Sequence, residues 1–248
     1  MRFDIITIFP KMFESVFEYG VIGRGIKNGK ITLKVWNLRD FAYDKHKTVD
    51  DEPYGGGVGM ILKPEPLIRA IRKIKKEKFY NTKPWVVYLS PQGKVLCQKK
   101  VFELYKKKWL VLICGRYEGI DARVMKFIDE EVSVGDYILT GGEIPAMVLV
   151  DVVSRYVKGI VKEKESLCRE SFLGKFLDYP NYTRPRSYMG MKVPEVLLSG
   201  DHKKIELYRL KEAIRATYKK RPDLLKNTKL SNIEKKLLEE VIEEENKR

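Results

Sequence analysis

The sequence predicts an α/β domain followed by a smaller, mostly helical one. Three observations carry that reading. Short β-rich apolar runs alternate with amphipathic helical stretches through the first two-thirds of the 248 residues, as a layered α/β domain requires. The alternation then fails in a polar, aperiodic stretch. Beyond it, an irregular Pro- and Tyr-rich segment leads into two segments of helical periodicity. The boundaries fall at 1–161 for the α/β domain, 162–170 for a flexible linker and 171–248 for the helical domain.

Strands are expected at Phe3–Phe9, Ile31–Trp36, Trp85–Ser90 and Leu110–Cys114, with a shorter one at Glu131–Val134. Between them Glu65–Lys78 and Lys99–Lys107 read as helices, and Ile144–Val157 as an apolar helix carrying Arg155. The stretch VKEKESLCRE ends this pattern. Phe172–Gly200 reads as ordered but irregular. From Asp201 to Lys220 a helix is expected, with Asp201 as N-cap. At 100° per residue Leu207, Leu210, Ile214 and Tyr218 share one stripe, and Lys204, Lys211, Arg215 and Lys219 share another. Ser231–Arg248 is a second amphipathic helix with an acidic run near its end.

Composition narrows the function classes. Lys and Arg number 49 against 34 Asp and Glu, a net charge of +15, which suits a polyanionic partner. Charge alone weighs that reading evenly against simple solubility. The three cysteines, Cys97, Cys114 and Cys168, are far apart and give neither a disulfide framework nor a CxxC pair. His46 and His202 are the only histidines, so a zinc site is not expected. No apolar run approaches the ~20 residues of a membrane span, and MRFDIITIFP lacks a secretory layout. The expected location is the cytoplasm.

Glycines concentrate in YGGGVGM (54–60), LSPQGK (89–94), CGRYEGID (114–121) and VGDYILTGGE (134–143). Three of these follow an expected strand, where open α/β sheets build ligand sites, and glycine lets backbone approach a ligand closely. Neither a P-loop nor a strand-following GxGxxG occurs. A ligand that needs little anion recognition fits, and an adenosine carrying a sulfonium amino acid is one. Two histidines and no GxSxG leave little for a nucleophilic triad. What remains is acid/base and positioning chemistry from Glu118, Asp121, Asp136, Glu143, Glu170 and Asp178, interspersed with Arg116, Arg123, Arg155 and Arg169. Each acid alone is more often a surface or capping residue than a catalyst.

The segments TIFPKMF (7–13), DEPYGGGVGM (51–60), LSPQG (89–93), CGRYEGID (114–121), VGDYILTGGEIPAM (134–147), DYPNYTRP (178–185) and VPEVLLSGDH (193–202) together resemble the bacterial tRNA (guanine-N1) methyltransferases of the TrmD type. The likeness runs in order through nearly the whole chain. It implies the knotted SPOUT class, with a deep trefoil knot near the C-terminal end of the α/β domain, and a homodimer in which two subunits share each active site. It also implies S-adenosylmethionine as methyl donor, Mg²⁺ as a helper ion without an assigned position, and the anticodon stem-loop of tRNA as partner. The product would carry a methyl on N1 of the guanosine 3′-adjacent to the anticodon, position 37.

Carried over residue by residue, Tyr88, Leu89, Ser90, Pro91 and Gly93 line the first donor loop, and Gly115, Tyr117 and Glu118 supply the second. Val134, Gly135, Asp136, Tyr137, Ile138 and Leu139, with Gly141 and Gly142, complete the pocket. Guanine N1 is protonated at neutral pH, so a base must take its proton while charge on the neighbouring carbonyl is offset. In the resemblance Arg155, in VSRY, assists. The base position is Glu170, in RESF, where the family has Asp; Asp178 is the alternative carboxylate. The target base must be unstacked to be read on its Watson–Crick edge, and Glu118 is placed to contact it. Lys204, Lys211, Arg215 and Lys219 would hold tRNA phosphates, with the lysines beside His46 adding to them.

Overall fold

The computed structural model describes residues 1–161, 171–226 and 228–247. The expected linker, 162–170, and with it Glu170 lie outside the described residues. The chain divides into two compact units, Met1–Lys162 and Glu163–Arg248.

In the first unit the described elements run β1 (Arg2–Thr7), α1 (Glu14–Glu18), α2 (Gly20–Lys27), β2 (Thr32–Asn37), β3 (Asp50–Asp51), β4 (Ile61–Leu62), α3 (Pro64–Lys75), β5 (Trp85–Val95), α4 (Gln98–Lys107), β6 (Trp109–Cys114), β7 (Glu130–Ser133) and α5 (Glu143–Ser154). Five strands form a parallel sheet in the order β2-β1-β6-β5-β7. β1 and β6 are buried along their whole length, which is why they read as unbroken apolar runs rather than alternating ones. One face of the sheet packs Ile5, Leu112 and Val87 against Leu104 of α4 and Leu149, Val150 and Val153 of α5. The other packs Ile6, Val111 and Val86 against Leu67, Ala70, Ile71 and Ile74 of α3.

A buried carboxylate ties the three strands at one edge of the sheet. Asp4, on β1, is fully buried. It accepts from Arg2 Nε (2.7 Å), from Trp36 Nε1 on β2 (2.7 Å) and from Trp109 Nε1 on β6 (2.6 Å). Removing one partner of such a buried pair costs about 3–5 kcal/mol, because the other charge is stranded.

β5 departs from expectation in an informative way. It was expected to stop at Ser90, but its pairing with β7 resumes further on: Leu89 and Lys94 both partner Val132. The four residues Ser90–Gly93 are therefore looped out of the ladder, as a bulge does to aim side chains away from the sheet. Gly93 sits inside that loop facing β7, where a Cβ would collide with the backbone nitrogen of Val132.

The second unit contains a short hairpin of β8 (Ser187–Tyr188) and β9 (Met191–Lys192), then α6 (Glu195–Leu198), α7 (His202–Lys220), α8 (Asp223–Lys226) and α9 (Asn232–Asn246). Asp201 caps α7 by accepting from Lys204 N. Ser231 and Glu234 form a reciprocal capping box at α9, the arrangement that satisfies two otherwise orphaned donors. Ile214, Leu237 and Val241 form the core, with Leu210 and Tyr218 against it. Leu207 is the exception to the expected apolar stripe: it is half exposed, since it lies on α7 ahead of the contact with α9.

The expected basic stripe meets acidic side chains in the fold. Lys211 pairs with Glu240 and Glu244 (2.8 and 2.9 Å), Arg215 with Glu212 and Glu245 (3.1 and 2.9 Å) and Lys219 with Glu245 (2.7 Å). The acidic run of α9 thus lies along the stripe and neutralises it. Lys204, two turns before Lys211, pairs among the described residues only with its cap Asp201 at 3.2 Å and stays largely exposed. The periodicity of one helix reveals a charged face but not what a distant segment lays over it.

Hydrogen bonds from Arg215 and Lys211 hold the Glu244 carboxyl down at about 2, from an ordinary 4.5. A depressed carboxylate stabilises the fold above its unfolded pKa and loses that contribution as pH falls through the folded value. The melting temperature of the full chain should therefore fall between about pH 4.5 and pH 2 more steeply than that of Glu244→Gln. Equal acid slopes for the two proteins would show that the pair does not stabilise α9.

Candidate active site

An excursion within β5 and the loops that leave the carboxyl ends of β6 and β7 meet around one cavity of about 280 Å³. Such a crevice is where parallel sheets take ligands. The first loop is the looped-out Ser90–Gly93. The second turns at Tyr117, whose φ of 57° is left-handed in a non-glycine residue, the kind of local strain that surrounding structure must hold in place. Gly119, at φ 112°, completes the turn. The third begins at Gly135, stapled by Ser133: its hydroxyl accepts from Gly135 N (3.1 Å) and donates to Gly135 O (3.0 Å).

The second and third loops touch through backbone. Gly142 N donates to Gly115 O at 2.8 Å, and Arg116 bridges Gly141 in antiparallel fashion. A Cβ on Gly142 would lie 2.6 Å from Cys114 Cα, closer than any real side chain. The segment Tyr54–Met60 closes over the second loop: Glu118 N donates to Met60 O (3.0 Å) and Leu62 N to Gly119 O (3.0 Å). Glu118 therefore sits between the cavity, which it lines, and Gly59, whose Cβ would come 2.8 Å from its Oε1.

Fourteen residues expected at the pocket line this cavity: Tyr88, Leu89, Ser90, Pro91, Gly115, Tyr117, Glu118, Val134, Gly135, Tyr137, Ile138, Leu139, Gly141 and Gly142. Gly93 and Asp136 do not. Gly93 faces β7, and Asp136 is exposed at the tip of its loop. Gln92, Arg116, Val132, Ser133, Thr140 and Pro145 also line it and were not singled out as pocket residues. For Arg116 the signal was present, since it lies inside the CGRYEGID segment. The Tyr88 hydroxyl accepts from the backbone of Ile120, and burial, with Glu131 nearby, pushes its pKa up to about 12, so it remains a neutral phenol in the working range. Burial pushes the Cys114 thiol well above its ordinary value, which leaves it inert.

Arg155 is not brought to this cavity within one chain. It caps the far end of α5, about 20 Å along the axis from Gly142 at 1.5 Å per residue. Asp178 lies in the second unit, exposed, with its backbone N–H on Ser171 Oγ at 2.9 Å.

A family model described as tRNA (guanine-1)-methyltransferase TrmD matches residues 1–227 of the chain. The tRNA (guanine-N(1)-)-methyltransferase of Dictyoglomus turgidum is 52% identical over 244 residues, 98% of each chain. Those of Thermosipho melanesiensis and Thermotoga maritima are 53% identical over 244 residues, again 98% of each chain. The chain belongs to the TrmD family. Its reaction is methyl transfer to a guanine of tRNA, and a methyltransferase of this family draws on S-adenosylmethionine.

For this TrmD-family chain the closeness at Gly142 has a direct consequence. If this cavity holds the methyl donor, Gly142→Ala should weaken S-adenosylmethionine binding about 5- to 150-fold in calorimetry, because the added methyl must push the third loop off Cys114 at about 1–3 kcal/mol of overpacking. Unchanged affinity would mean the loop contact does not shape the donor site.

Proposed function

We propose that the chain methylates N1 of the guanosine 3′-adjacent to the tRNA anticodon, position 37, with the donor seated in the cavity between the three glycine-bearing loops. The observation that carries this reading is the character of that cavity. Its wall includes glycine backbone, Pro91, Ile138, Leu139 and the rings of Tyr117 and Tyr137, with Arg116 its single cation among the described residues. Arg116 is committed to Glu143, so no described side-chain cation there is left to grip phosphates, and an adenosine bearing a sulfonium amino acid fits. When bound, S-adenosylmethionine supplies an electrophilic methyl group.

The remaining work falls to side chains. Glu118, at the lip, accepts from the N–H edge of an extruded guanine. Glu170 or Asp178 takes the N1 proton, and Arg155 offsets charge on the adjacent carbonyl oxygen. The ~20 Å between Arg155 and its own cavity supports a homodimer in which this arginine serves the partner's site. Ile144 and Val148, exposed on the outer face of α5, and the exposed Phe9, Met12 and Val16 supply an apolar surface for such a partner. Membership of the TrmD family supports the deep trefoil knot of the SPOUT class. No helix of the described residues is long and apolar enough to cross a membrane, and we place the enzyme with its tRNA in the cytoplasm. Mg²⁺ is proposed as a helper ion without an assigned position; among the described residues no three His, Cys, Asp or Glu side chains gather as metal ligands.

With Lys211, Arg215 and Lys219 engaged by α9, tRNA phosphates are assigned first to Lys204 and to the Tyr-Pro-Arg segment before β8. Arg184 and Arg186 form no ion pair with a described residue, and with Tyr182 they line a cavity of about 410 Å³ in the second unit. Arginines beside tyrosines suit both phosphates and unstacked bases.

Three experiments test this. Nucleoside mapping of unmodified tRNA after incubation with labelled donor should find the label only on N1 of guanosine 37; label elsewhere would overturn the assignment. In single-turnover assays Arg155→Ala and the variant of the true base should each lose about 10²–10⁴-fold, with Glu170→Asp retaining activity if Glu170 is the base; retention of full rate by Glu170→Ala and Asp178→Asn alike would remove both carboxylates from the mechanism. Separately, Arg184→Ala with Arg186→Ala should reduce the salt slope of tRNA binding by about 2, roughly one per phosphate contact, whereas Lys211→Ala should change it less. The opposite ranking would return the phosphate role to the α7 stripe.

A further inference from the structure

Methyl transfer as described leaves one acid–base pair of the pocket loops unused. Glu143, the first residue of α5, is 1% exposed. Its Oε1 accepts from Thr7 Oγ1 at the end of β1 (2.8 Å), and its Oε2 from Arg116 Nε (2.9 Å). Arg116 then reaches onward. One terminal nitrogen donates to Thr140 O at 3.1 Å, the other lies 3.7 Å from Met12 Sδ, and the guanidinium stacks over Phe9 at 4.7 Å. The Arg116 side chain also occupies the space that a Cβ on Gly141 would need.

We propose that Glu143 and Arg116 are positioning residues for the methyl donor: a part-buried ion pair, its carboxylate fully enclosed, that sets the curve of Thr140–Gly142 against the second loop and thereby the affinity for S-adenosylmethionine. This rests on the reading that the donor occupies the loop cavity. Stability alone is a poor reason to keep such a pair, since apolar side chains of similar volume serve as well or better. What an apolar pair lacks is direction. A carboxylate at the start of a helix, where it is also favoured by the axial dipole, fixes the plane of the guanidinium, and the planar fork then delivers a second donor to a pocket backbone oxygen. Thr7 refers the arrangement to the rigid central strand, so the third loop is located relative to the sheet and not only to its neighbour.

Calorimetry on the full-length protein with S-adenosylmethionine tests the proposal, with wild type and Gly142→Ala as references for the cavity itself. Arg116→Lys keeps a cation beside Glu143 but cannot hold Glu143 and Thr140 O in one plane. Its donor Kd should rise tenfold or more, its tRNA Kd should stay within twofold, and its kcat at saturating donor should fall less than its donor affinity. A donor Kd within twofold of wild type in folded Arg116→Lys overturns the proposal, as does a lower kcat at unchanged donor Kd, the mark of a reduced folded fraction. If Arg116→Lys does not fold, Thr7→Val decides: losing only the hydroxyl, it should weaken donor binding two- to fivefold, and unchanged affinity overturns the proposal. Donor binding that is insensitive to Gly142→Ala would instead remove the cavity reading beneath it, so the two failures are separable.

Discussion

The first unit depends on a place where two backbones touch without side chains between them. Gly142 rests on Cys114 and Gly115, so the end of β6 and the start of α5 are pinned at one point. From that contact the rest of the site follows. α5 must begin there, its first residue is thereby buried, and the stretch from Gly135 to Gly141 must arch outward to form one wall of the cavity. The looped-out residues of β5 form the opposite wall, because β7 pairs with that strand on both sides of the excursion. A sheet that is apolar on both faces is stiff enough to hold three such loops in register.

Charge is handled differently in three places. Asp4 and the pair Glu143–Arg116 are buried and supplied with donors from several elements, so each holds strands or loops in fixed relation. The α7–α9 ion pairs are partly exposed and individually weak, and they pack two helices whose shared apolar core is small. Arg184 and Arg186 of the Tyr-Pro-Arg segment form no ion pair with a described residue, in keeping with the phosphate role proposed for them. A net charge of +15 therefore says little by itself about where RNA lies; the decisive matter is which cations the fold has already neutralised.

The large elements were legible because they are local: runs such as WLVLIC and the helical spacing of Leu210, Ile214 and Tyr218 encode burial over a few residues. Most of the cavity was legible for a similar reason, since its loops are contiguous motifs. What escaped depends on distance along the chain. α1 and α2 were missed because they are short, and α2 carries glycines at 20, 23 and 25 against its helical propensity. Glu143 and Arg116 were visible only as separate charges, being 27 residues apart. The partner of the α7 stripe lies 29 residues beyond Lys211, and neither periodicity nor composition reports such a pairing.

The apolar helix α5 carries a geometric obligation through its length. Its first residue is buried beneath the cavity loops and Arg155 caps its other end, so it acts as a rod of fixed pitch between the two. Adding or deleting a single residue within it would swing the arginine by 100° and shift it by about 1.5 Å, pointing it at the wrong surface even with every other contact intact. Length variation in such a protein is consequently confined to loops outside this span, or to steps of about seven residues that restore the helical face at the cost of moving it some 10 Å.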